Sequence, residues 1–353
     1  MLGSGAIQPG PVMSIPRVFA VVALSCIVTT VVAQVRVEPQ QSGVEVRLRG
    51  IAAVDDRVAW ASGREGTVLR TLDGGAHWGV VAVPGAGELD FRDIEAFDAT
   101  TAVVLSIGPG EASRVYRTED GGKTWRLALQ NHDPRAFFDC MAFDGERGRM
   151  LGDPVDGRFQ VYATDNGGRD WRLLDGGPTA EEGEAAFAAS GTCIARAGDA
   201  WLAATGGSQA RLHAQVGEGP WHSVDSGMGR AKPEAGVFSI ALADDAVFAV
   251  GGDYKAETAP GNAAAWRIGD EAARALPAPP GYRSGAACVP GSVTCIVVGP
   301  SGVDAWNGEA WTGASGTGYD AIDLAGNVGW ASGDAGRIAR VEVSAGDAAE
   351  DTD

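Results

Sequence analysis

The chain has 353 residues, 45% of them hydrophobic and 21% charged, with a formal net charge of −18. That balance supports a buried core and excludes wholesale disorder, and the acidic surplus, with no run of Lys and Arg, argues against a nucleic-acid partner because phosphates would be repelled. Fifty-two glycines among apolar runs predict many tight turns and an all-β protein.

The first element is not part of that fold. After Arg17 comes an apolar stretch of sixteen residues, VFAVVALSCIVTTVVA, with small residues at its end. They predict a secretory signal over residues 1–33, cleaved after Ala33, with Met13 as an alternative start. An uncleaved membrane anchor and a lipoprotein attached through Cys26 stay open as competing readings. Export implies a periplasmic or secreted protein in a compartment where disulfides form. Cys288 and Cys295 flank the turn-bearing stretch VPGSVT and face each other if it is a hairpin, and Cys140 and Cys193 can pair between neighbouring repeats. Each is equally a small buried hydrophobe. No CxxC or Cys/His cluster with zinc spacing occurs, so neither a metal nor a cofactor is expected.

From residue 34 onward the chain repeats. LRTLDGGAHWGV, YRTEDGGKTWRL and YATDNGGRDWRL align on Trp78, Trp125 and Trp171, which lie 47 and 46 residues apart. A pair of apolar runs precedes each motif, and the same pair recurs in TCIARAGDAWLAATGG, IALADDAVFAVGGD, AACVPGSVTCIVVG and AIDLAGNVGWASGD. Seven four-stranded units of about 44 residues predict a seven-bladed β-propeller over residues 34–344, since one such unit cannot bury both of its faces alone. The last unit, ending at RIARVEV, lacks a fourth strand. An N-terminal strand, read at Val44–Leu48, supplies it and closes the ring. A β-helix or two β-sandwiches would leave that missing strand unexplained. The acidic end, residues 345–353, predicts a solvated disordered tail.

The repeated motif resembles the Asp-box, or BNR repeat, of sialidases and related propellers. It is complete at Thr71, Asp73, Gly75 and Trp78 and at Thr118, Asp120, Gly122 and Trp125, and it carries Asn166 in place of Asp at Thr164, Gly168 and Trp171. The carboxylate or amide oxygen suits acceptance of turn N–H groups, glycine supplies a positive φ, and Trp packs between sheets. The residues read as structural, with no catalytic role.

No GxSxG, GxGxxG, P-loop or HExxH motif occurs. Propeller ligands usually meet the central funnel, at positions just before each innermost strand and after the second. Those positions hold Arg49, Arg92, Asp93, Arg135, Asp139, Asp153, Glu184, Asp253, Tyr254, Tyr282 and Arg283, with Asp156 and Lys255 beside them. Several arginines converging in an acidic protein would bind carboxylates; the competing reading is a solvated rim of ordinary ion pairs.

From about Val44 to Val343 the chain resembles bacterial relatives of the plant and cyanobacterial photosystem II stability/assembly factor family. FRDIEAF, FFDCMAFD, GDPVDG, GEAAFAASGT, GGDY and GYRSG carry the likeness. The resemblance implies a seven-bladed propeller that binds a photosystem subunit during assembly, partly through an arginine-rich face, without catalysis. An oxidoreductase role, often assigned to relatives, finds no nucleotide fingerprint or redox-metal constellation. The expected function is therefore an exported, monomeric, non-catalytic scaffold for an acidic segment of an envelope or membrane protein. The alternative is a sialidase-type glycosidase. Arg92, Arg135 and Arg283 would then clamp a carboxylate, Tyr254 or Tyr282 would act as nucleophile with Glu184, and Asp93 as acid/base.

Overall fold

The computed structural model describes residues 34–229 and 232–344, together with residues 1–3, 5 and 10. The apolar run of the expected signal, its cleavage point and the acidic tail lie outside the described residues.

Antiparallel sheets form the seven expected blades, each built on four strands, paired in chain order in blades 1 to 6. Their first strands are Leu48–Ala53, Asp90–Ala96, Phe138–Asp144, Ile194–Ala197, Ala235–Ala243, Gly285–Cys288 and Ala321–Ala325, for blades 1 to 7. These first strands touch one another around the ring and so are the innermost ones. Blade 5 gains two short strands, Glu184–Ala185 and Gly206–Gly207. The core is correspondingly divided. Each of the seven blade-to-blade interfaces holds its own apolar cluster, such as Trp60, Phe91 and Ile94 between blades 1 and 2, or Leu151, Phe159 and Ala203 between blades 3 and 4. A twisted sheet with two apolar faces is stable only with a neighbour on each side, and a closed ring gives every blade two neighbours.

Closure comes from the N-terminus, but not from the strand read in the sequence. Gln34–Gln40 pairs antiparallel with Ile338–Ser344 as the outer strand of blade 7, setting Val35 opposite Val343 and Val37 opposite Val341. Val44 and Val46 instead pack against the cluster between blades 7 and 1, and Leu48 opens blade 1. The true closing strand contains Pro39, which an edge strand tolerates because one of its sides carries no ladder.

Gln40 locks this seam. Its Oε1 accepts hydrogen bonds from the indole N–H of Trp78 in blade 1 at 3.1 Å and of Trp330 in blade 7 at 3.2 Å, while its Nε2 donates to the Gly74 carbonyl at 2.9 Å. Gly75 makes room for it: at φ +86° its backbone favours glycine, and a Cβ there would lie 1.9 Å from Gln40 Oε1.

The three Thr-containing turns share one hydrogen-bond pattern. Thr71 Oγ1 donates to Asp73 Oδ1 at 3.0 Å and accepts from Gly75 N–H at 2.9 Å, and Asp73 Oδ1 accepts from His77 N–H at 2.9 Å. Thr118 with Asp120 and Thr164 with Asn166 repeat it. Asn166 serves because the turn needs an acceptor oxygen rather than a charge. Both cysteine pairs are disulfides: Cys140–Cys193 joins blades 3 and 4 with Cα atoms 5.8 Å apart, and Cys288–Cys295 bridges directly opposed residues of a blade 6 hairpin, 3.9 Å apart.

Replacing Gln40 with Ala orphans two indole donors and should lower unfolding free energy by about 2 kcal/mol or more, given ~1–3 kcal/mol per unsatisfied buried group. Urea denaturation measures this, and an unchanged midpoint would show that Gln40 does not hold the seam.

Candidate functional site

A one-residue irregularity shapes the funnel. The innermost strands of blades 1, 2, 3 and 5 each carry a β-bulge, and the extra residues are Arg49, Arg92, Asp139 and Phe238. A bulge turns one side chain out of the alternating pattern. All four residues line the same cavity of about 460 Å³ at one end of the central channel. Arg47, Phe137, Asp153, Phe187, Tyr254, Glu257, Tyr282 and Asp320 complete most of its wall.

One side of the cavity is aromatic. Phe187 and Phe238 stack face to face with centroids 4.1 Å apart, and the Tyr282 and Tyr254 rings meet Phe238 edge-on at 4.8 and 6.2 Å. The other side is cationic, and its three arginines differ in how they are held. Arg47 makes a two-pronged bond to Asp320, with both contacts at 2.7 Å, across the seam between blades 1 and 7; this bond raises its pKa. Arg92 is bonded to Asp90 and donates to the Ala188 carbonyl at 2.9 Å. Arg49, nine-tenths buried, donates Nε to the Ala189 carbonyl at 3.0 Å and, among the described residues, pairs with no carboxylate. Burial, then the charge of Arg92, pulls its pKa down to about 10. Burial also pushes the carboxyls of Asp139 and Asp153 upward, Asp139 further because Asp153 is near. Both shifts weaken the negative charge that faces the three arginines of the wall.

The structure thus brings Arg49, Arg92, Asp139, Asp153, Tyr254 and Tyr282 together and sends the other candidates elsewhere. Arg283 follows Tyr282 and points the opposite way, into blade 6, where it is buried against Asp304 and Ser301. Arg135 sits on an exposed loop with Asp133 and Asp156 at 2.8 and 2.9 Å. Asp253 pairs with Lys232 at 3.2 Å. Glu184 is buried; burial pushes its pKa up, but bonds with His213, Arg211 and Thr205 outweigh it and hold the carboxyl at about 2. Asp93 lies one residue beyond the Arg92 bulge and accepts the Met141 N–H of blade 3 at 2.6 Å. The arginine clamp required by a sialidase is therefore not assembled from Arg92, Arg135 and Arg283, nor is Glu184 set beneath a tyrosine. Among the described residues, no group of three or more His, Cys, Asp or Glu side chains is arranged to hold a metal ion.

The family model of the photosystem II assembly factor YCF48 matches residues 30–195. Among solved structures, YCF48 from Cyanidioschyzon merolae is similar at TM-score 0.63 and 17% identity, covering 87% of this chain and 99% of that one. Over residues 30–195 the chain is similar to the photosystem II assembly factor family, and it shares the propeller fold of that family's solved structures. A second YCF48 structure, bound to a D1 peptide, is similar at TM-score 0.62 and 13% identity, covering 86% of this chain and 94% of that one. The WD40 propeller domain of Doa1 also matches, at TM-score 0.60 and 10% identity over 88% of this chain and 97% of that one, so at these identities the likeness is one of fold. No curated protein sequence matches the chain.

Past the funnel, the innermost strands of the propeller carry Asp93, Glu95 and Asp323 within electrostatic reach of one another. Burial pushes Asp93 up to about 8 and Asp323 to about 6. Their oxygens also tie blades together, Asp93 through Met141 N–H and Asp323 through Ala53 N–H at 2.8 Å. A carboxyl near 4 in the unfolded chain and higher in the folded one binds its proton more tightly when folded, so stability falls as pH rises between those values, by up to about 1.4 kcal/mol per unit per proton. Urea midpoints should therefore decrease from pH 5 to pH 8. Asp93→Asn keeps an acceptor for Met141 and should flatten that slope; an unaltered slope would show that Asp93 does not titrate there.

Proposed function

We infer that this propeller is an exported, monomeric protein-binding scaffold that holds a segment of an envelope or membrane protein at its funnel. The observation that carries this reading is the cavity itself, where four bulged residues from separate blades converge with an aromatic wall and three arginines. Such a combination suits a peptide segment: aromatic rings take apolar side chains, while arginines take carboxylates and backbone carbonyls. The family supports it, as does a similar propeller bound to a D1 peptide. An acidic segment in the partner would find its counter-charge in the three arginines of the wall.

Affinity capture from the host's solubilised envelope tests the reading. The wild-type protein should retain a membrane protein that is lost, or reduced at least tenfold, with a cooperatively melting Phe187→Ala/Arg92→Ala variant. Equal retention by both would overturn the funnel as the binding face. Export has a separate readout: mass spectrometry of the mature protein should find Gln34 as the first residue, and retention of residues 18–33 would instead mean an anchor.

A further inference from the structure

The funnel contains two hydrogen-bond donors that the fold does not use. Arg49 spends only its Nε on the protein, donating to the Ala189 carbonyl, and its two Nη groups, which open to the cavity, donate to no protein group among the described residues. Tyr282, only 5% exposed, turns toward the same cavity with a hydroxyl that bonds no protein group among the described residues. Both side chains line the cavity, and the charge of Arg49 acts on the Tyr282 phenol. These donors open into the cavity, where a ligand acceptor can take the hydrogen bonds that the fold leaves unused. Arg47 and Arg92, by contrast, already hold Asp320 and Asp90.

The surroundings say what that ligand carries. Tyr282 is edge-on to Phe238, which is stacked on Phe187, so the two free donors border a rigid apolar surface. We propose that the funnel seats a carboxylate borne on an apolar body, the carboxylate receiving the Arg49 Nη hydrogens and the Tyr282 hydroxyl while the body lies against Phe187 and Phe238. This specifies the reading of a peptide-binding scaffold and rests on it. The same chemistry is found in the C-terminal residue of a protein chain and in a small free arylalkanoic acid.

Calorimetric titration of the purified protein with N-acetyl-phenylalanine and with its amide tests the proposal. The acid should bind and the amide should bind on the order of tenfold more weakly, because it offers no charged acceptor. Tyr282→Phe keeps the ring and the fold and should weaken the acid on the order of tenfold and the amide less, since a neutral carbonyl is the weaker acceptor. An amide as tight as the acid, an acid unaffected by Tyr282→Phe, or no binding to the folded protein would each overturn the proposal. The source is separated by two further probes: N-acetyl-Ala-Ala-Phe binding more tightly than 3-phenylpropionate assigns the site to a chain terminus, and the reverse order assigns it to a free acid. If a partner is captured from the envelope but N-acetyl-phenylalanine fails to bind, the carboxylate seat falls while the scaffold stands. If the acid binds but no partner is captured, the scaffold reading falls alone.

Discussion

Everything in this molecule depends on closing the ring. Seven sheets, each apolar on both faces, have stable neighbours only when blade 7 meets blade 1, and that meeting is made by one N-terminal strand, Gln34–Gln40, laid along Ile338–Ser344. Gln40 is the point of commitment, since one side-chain oxygen satisfies indoles from both blades. The next turn of chain then carries Arg47 to Asp320 across the same seam and Arg49 into the funnel. The binding cavity is thus assembled only in the closed ring, because its wall draws on blades that are far apart in sequence.

Closure alone would produce a smooth channel of alternating side chains. The bulges make it a site. In four innermost strands one extra residue breaks the alternation, and those four residues are two arginines, an aspartate and a phenylalanine facing a common space. Strand geometry supplies precision, since a side chain held on a sheet has few other places to go, and each bulge supplies direction. The connection from blade 3 to blade 4 completes the wall: Glu184, gripped by Arg211 and Thr205, anchors one side of it, and the carbonyls of Ala188 and Ala189 receive Arg92 and Arg49 on the other. Phe187 is held between those two anchors.

Much of this was legible in the sequence. The tryptophan spacing and the recurring strand pairs lead to seven blades, and the missing last strand leads to an N-terminal closure. The wrong strand was read for it because Val44-Glu-Val-Arg-Leu48 alternates as an edge strand should, whereas the real one carries Pro39, a residue that discourages strand assignments away from an edge. Within the site, reading positions just before each innermost strand finds Arg49, Arg92, Asp139 and Tyr282. It fails at Arg283 and Arg135, where one step along the chain reverses a side chain or the preceding loop carries it outward. Sequence periodicity does not show where a bulge falls, so the pattern does not single out Phe238, Phe187, Arg47 or Asp320. The motif GYD at 318–320 echoes GYR at 281–283 one blade earlier and was the available signal for Asp320.

The central claim is that a protein partner enters this funnel rather than docking on the outer strands. Site-specific photocrosslinking in the host tests it most directly, with p-benzoylphenylalanine placed at Ala188 on the cavity wall and, separately, at Val80 on the exposed outer strand of blade 1. The account predicts a discrete crosslink to a membrane protein from position 188 and none from position 80. A partner crosslinked from position 80 and absent from position 188 would contradict it.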